Sequence, residues 1–100
     1  MTKEEVLKTI DLALDHKEGL GTYNITLPTV FKFIKDCGKH DFFVTSEISG
    51  YSLYIKLYNS EGYFFDNKLW GTYSSMKTIL KICRNIIEQL KLTDETIIDN

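Results

Sequence analysis

Apolar residues recur at helical spacing in the first and last quarters of the chain and alternate with polar ones in the middle. Thr2-Lys3-Glu4-Glu5 has the form of a capping box, and Val6, Leu7, Ile10, Ala13 and Leu14 follow on one stripe. This predicts a helix over about 3–17, ended by Gly19 and Gly21. Tyr23 to Leu27 alternates and reads as a short edge strand. Pro28 suits a first helical turn, and Val30, Phe31, Ile34 and Cys37 continue a stripe that Gly38 can cap, so a second helix is expected over about 28–37. The strongest helical pattern is Met76, Ile79, Leu80, Cys83, Ile86, Ile87 and Leu90, which predicts a helix over about 75–91 with Ser74 or Ser75 at its cap.

Between these helices lie most of the aromatic residues, in short runs broken by turn residues. A two-residue turn at Ser49-Gly50 sets Ile48 against Tyr51, Ser46 against Leu53, Val44 against Ile55 and Phe42 against Leu57. Period-two alternation puts these eight on one face, mostly apolar, and leaves Phe43, Thr45, Glu47, Ser52, Tyr54, Lys56 and Tyr58 on the other. After Asn59-Ser60-Glu61-Gly62 comes Tyr63-Phe64-Phe65. A four-residue loop would put Phe64 in the core; a three-residue loop with a bulge at Gly62 would put Tyr63 and Phe65 there. Asp66-Asn67 reads as a further turn into Lys68-Leu69-Trp70. The expected fold is α+β: an antiparallel sheet of three to four strands (about 42–48, 51–58, 63–66 and an optional 68–71) with the three helices packed on it. Residues 1–92 are expected to form one domain, and 93–100, with Asp94, Glu95 and Asp99, an acidic frayed tail.

The 43% apolar and 26% charged composition is that of an ordinary globular chain, and a net charge of −2 supplies no global field toward nucleic acid or membrane. No apolar run is long enough to span a bilayer and the N-terminus lacks a signal-peptide pattern, which makes the cytoplasm the expected compartment. Lys and Ile are abundant while Arg and Ala occur once each. That bias points to an AT-rich genome, such as a low-GC bacterium, its phages or its mobile elements.

Catalytic chemistry has little support. His16 and His40 are the only histidines and neither is accompanied by a nucleophile. Cys37-x-x-His40 with Cys83 and His16 supplies zinc-ligand types but only one close pair, where zinc modules use two; no metal or cofactor is expected. Two surfaces remain. Phe43, Tyr54, Lys56 and Tyr58, joined by Tyr63 and Trp70, have the Tyr- and Trp-rich make-up of recognition surfaces, provided no helix covers them. Lys32, Lys35 and Lys39, with Lys77, Lys81 and Arg84, form two basic stripes able to meet phosphates. Stripes of this kind are most often the solvated side of amphipathic helices. The comparison with a winged helix fails at one place: between the first helix and the hairpin lies one helix, where a helix-turn-helix needs a pair. The expected function is therefore a non-enzymatic protein-binding module, of the phage- or mobile-element-type inhibitor or regulator kind, with homodimerisation through the same surface as a further use. The alternative is a nucleic-acid-binding regulator using the Lys stripes.

Overall fold

The capping box forms in the computed structural model, which describes residues 1–15 and 20–90. The Thr2 N–H donates to Glu5 Oε1 at 2.7 Å, and the Glu5 N–H donates to Thr2 Oγ1 at 3.1 Å. Each bond satisfies a donor that a helix start leaves free. The bond from the Thr2 backbone, then that from its side chain, holds the Glu5 carboxyl below its ordinary value. Helix α1 runs Lys3–Asp15 and buries Val6, Ile10 and Ala13. The end expected at residue 17 lies outside the described residues.

Helix α2 runs Leu20–Asp36 and so begins well before Pro28. Tyr23–Leu27 is therefore helix, not an edge strand. Five alternating residues cannot separate a period of two from one of 3.6. The longer stripe decides it, because Leu27, Val30 and Ile34 are buried and Tyr23 and Phe31 pack against them. Thr26 also bonds back to the Thr22 carbonyl at 2.9 Å. Pro28 lies inside the helix and removes the donor that the Asn24 carbonyl would use. Both residues are exposed, so water can take that carbonyl. At the other end Gly38, at φ 78°, makes the expected left-handed cap: its N–H reaches the Lys35 carbonyl at 2.9 Å, and the Lys39 N–H reaches Ile34 at 3.2 Å.

Strands β1 (Phe42–Glu47), β2 (Gly50–Tyr58) and β3 (Phe64–Tyr73) form one antiparallel sheet in that order. The β1–β2 register differs from the expected one by two residues. Phe42 pairs with Ile55, Val44 with Leu53, Ser46 with Tyr51 and Glu47 with Gly50, so Ile48-Ser49 is the turn. Gly50 is needed elsewhere: at φ 147° it opens β2, and a Cβ there would collide with the Tyr73 carbonyl oxygen. A slip of two keeps every side chain on its expected face. Only Ile48 changes setting, from the core face to a fully exposed turn tip.

Strand β3 is a single strand without a turn at Asp66-Asn67, and among the described residues no fourth strand follows it. Asp66 pairs with Leu57 and Asn67 with Lys56. Staying on β2 satisfies backbone groups that a turn here would release. The irregularity is absorbed instead by two bulges, which leave Phe65 and Trp70 as the extra residues. Before β3 the Gly62 N–H donates to the Asn59 carbonyl and the Asn59 N–H to the Tyr63 carbonyl, both at 2.9 Å. With Gly62 at φ 89° this is the three-residue loop with a glycine bulge. Tyr63 and Phe65 still do not reach the core; they are 68% and 61% exposed, because the hairpin here outruns the helices.

Helix α3 runs Met76–Glu88, with Ser75 as its N-cap accepting from the Thr78 N–H at 3.3 Å. Lys3 Nζ reaches across to the Glu88 and Leu90 carbonyls at 3.1 and 2.9 Å, tying the start of α1 to the end of α3. Arg84 of α3 donates to both Asp11 carboxylate oxygens, at 2.7 and 3.2 Å, and pairs with Glu88 at 2.7 Å. The Arg84 hydrogen bond holds the Asp11 carboxyl below its ordinary value. Ile10, Ile34, Leu53, Ile79, Leu80, Cys83 and Ile87 fill the space between the three helices and one face of the sheet. Among the described residues no helix is long and apolar enough to cross a membrane. The acidic tail expected over 93–100 lies outside those residues.

Candidate binding face

Alternation along β2 sends Leu53 and Ile55 into the core and Ser52, Tyr54, Lys56 and Tyr58 to the opposite side. On that outer face the Phe43 and Tyr54 rings stack at 5.2 Å with 15° between their planes. Lys56 Nζ stands 5.8 Å from the Phe43 ring centre, within cation–π reach. Tyr54 pairs on its other side with Leu69, and Tyr58 meets Phe64 edge-on at 6.2 Å. Leu69, Phe64 and Tyr58 are 48%, 53% and 42% exposed, and none of these aromatic or aliphatic residues belongs to the core cluster.

Three polar contacts fix the face's outline. The Tyr58 hydroxyl donates to Asp41 Oδ2, which raises the Tyr58 pKa; burial and the Asp41 charge add to the effect. Lys35 Nζ lies 3.5 Å from the same carboxylate oxygen. At the other end Ser52, almost fully buried, donates to Glu47 Oε2 at 2.8 Å. The result is an aromatic strip with a tethered tyrosine at one end and a carboxylate at the other. It offers ring faces, one ammonium and hydroxyls, and no nucleophile–base pair.

The structure thus brings together four of the residues expected on this surface, Phe43, Tyr54, Lys56 and Tyr58, and adds Phe64 and Leu69. Phe64 is the neighbour that the three-residue loop leaves on this face, whereas Leu69 was hidden by register: it sits opposite Tyr54 only because β3 is continuous. Tyr63 stands apart, closing the loop opposite Asn59. Trp70 is on the wrong side for this face. Its ring packs edge-on against buried Phe42 at 5.2 Å and lies 4.9 Å from His40, so it faces the helices. Leu69 faces outward opposite Tyr54, so its neighbour Trp70 turns to the helix side, a parity set by the bulge at Phe65, whose extra residue breaks the alternation that the sequence pattern assumes. His40 is accounted for by the same stack.

The basic residues are dispersed. Lys32 pairs with Asp36 at 2.8 Å, Lys35 approaches Asp41, and Arg84 is held by two carboxylates. Lys39 borders a shallow depression with His40, Trp70 and Ile86, while Lys77 and Lys81 project from α3 into solvent. Cys83 lies in the core and Cys37 at its margin, and no group of three or more His, Cys, Asp or Glu among the described residues is arranged to hold a metal ion. His16 lies outside those residues. Comparison of the chain with protein-family models, with curated proteins and with solved structures finds no match in any of the three.

Proposed function

We propose that the chain is a small protein-binding module that docks its outer sheet face on a partner and covers the partner's working surface. One observation carries the reading: Phe43, Tyr54, Tyr58, Phe64 and Leu69 share a face to which the core cluster does not extend. Surfaces this rich in aromatic rings supply stiff contact area at low entropic cost and are enriched at interface hot spots. The complementary partner surface presents apolar grooves for the rings and a carboxylate for Lys56. The Lys- and Ile-rich, Arg- and Ala-poor composition supports an origin in a low-GC bacterium or its mobile elements, and with it a cytoplasmic inhibitor or regulator.

The test is affinity capture from the native host, with Tyr54→Ser/Tyr58→Ser as control. Both side chains lie outside the core, so the variant should keep the wild-type circular dichroism spectrum and lose the captured partner. Equal capture by wild type and variant would overturn the reading. Salt-sensitive binding to DNA or RNA that disappears on reversing Lys77 and Lys81 would replace it with the nucleic-acid alternative.

A further inference from the structure

Strand β3 is one edge of the sheet and, at ten residues, its longest strand. Its residues Phe64 to Trp70 are all exposed. Exposed edges of this length invite pairing unless they are blocked; β3 has no proline, and its two bulges, at Phe65 and Trp70, flank a regular stretch from Asp66 to Leu69.

The direction of its backbone groups can be read from the ladder. The Lys56 N–H donates to the Asp41 carbonyl at 2.9 Å, on the β1 side. In an antiparallel sheet a residue bonded to one neighbour is not bonded to the other, so Lys56 and its β3 partner Asn67 form a non-bonded pair. Asn67 therefore turns its N–H and C=O outward, to the open edge. The Asn67 N–H is accordingly taken by its neighbour's side chain, Asp66 Oδ1, at 2.8 Å. The same alternation turns Leu69 outward opposite Tyr54.

Around Asn67 the sequence is self-complementary. Reading outward in both directions, Asp66 is matched by Lys68 and Phe65 by Leu69. We propose that β3 pairs antiparallel with β3 of a second copy of this chain, about a twofold axis at Asn67. The Asn67 N–H then passes from Asp66 Oδ1 to the Asn67 carbonyl of the second copy, which frees the Asp66 carboxylate. Each Asp66 lies across from Lys68 of the second copy, and each Phe65 lies across from Leu69 of the second copy. Asp66 and Lys68 share a face, since they pair with Leu57 and Ile55 on β2, so the cross-strand charges meet on one side. Neighbouring centres fail: an axis at Asp66 sets acid against acid, and one at Lys68 sets base against base. Lys on an edge normally repels a second strand, and here Asp66 converts it into a register mark.

Such a pair is isologous and closes after two copies. Its axis is perpendicular to the sheet, so the two outer aromatic faces lie side by side on one six-stranded sheet. The inference does not depend on the outer face having a partner, and the two are tested separately.

Sedimentation velocity across a concentration series of the intact chain is the experiment. Wild type is expected to associate to a dimer and no further. Lys68→Asp alone, which sets two acids against each other, and Asp66→Lys alone, which sets two bases, should each weaken the dimer by about tenfold or more. An equimolar mixture of these two variants should form a heterodimer, and Asp66→Lys/Lys68→Asp in one chain should restore the homodimer. Tyr54→Ser/Tyr58→Ser should dimerise like wild type. A wild-type chain that stays monomeric throughout the series overturns the proposal. So do single-charge variants that dimerise as well as wild type, or a mixture that fails to associate.

Discussion

Cys37 and Cys83 both follow apolar stripes in the sequence, yet they end in different chemical settings. Cys83 is fully buried between the helices, and burial pushes its thiol up to about 12. Cys37 is half-buried at the end of α2, and its thiol is raised by burial and secondarily by the Asp36 charge. Because the thiolate is the reactive form, alkylation of the native protein should mark Cys37 alone, with Cys83 modified only as denaturant unfolds the chain. Mass spectrometry of peptides after timed labelling reads this directly; equal rates at both sites would show that Cys83 is not enclosed. The Cys83 environment was legible because its position in a long stripe fixes its direction. Trp70 was not, because its direction depends on a bulge, and a bulge leaves no mark in the alternation of apolar and polar residues.

Elements were legible where one period dominates over several turns and illegible where two periods overlap. The stripe from Met76 to Leu90 could only be α3, and the faces of β1 and β2 survived a turn misplaced by one residue, because that shifts the register by two and side chains repeat every two. Helix α2 was truncated in the sequence reading because Gly21 and Pro28 are ordinarily boundary residues. Its apolar stripe outweighs both. Pro28 is thus a local cost carried by tertiary packing, and Pro28→Ala should stabilise the protein by about 1–3 kcal/mol, the scale of a proline in a helix interior. Urea denaturation with an unchanged slope is the measurement; no gain in midpoint would mean that the helix tolerates the ring without loss. Strand β3 was divided in two for a similar reason, since Asp66-Asn67 carries turn residues within a strand that has a continuous partner.

Over the whole molecule, α+β architecture followed from the order of periods, but the open face did not. Each helix shows one apolar stripe, and nothing in a stripe says which side of a sheet it will cover. The structure measures 44 × 34 × 18 Å, and the smallest dimension holds one helix layer and one sheet. The fully buried large side chains lie between those layers, and the far end of the β2–β3 hairpin extends past them. Hydrogen exchange should follow that gradient. The Leu53 and Ile55 amides should be strongly protected, and those flanking the Asn59–Gly62 loop should exchange much faster. Uniform protection along the hairpin at low protein concentration would contradict the two-layer arrangement.

The one-sided core has an evolutionary consequence. Along β2 the demands of folding fall on Leu53 and Ile55, while Tyr54 and Lys56, their immediate neighbours, answer to none of them. Selection on foldability and selection on the outer surface therefore act on alternate letters of the same short stretch of gene. Lineages can rewrite the second set and inherit the first unchanged, which lets one scaffold diversify what it meets without relearning how to fold.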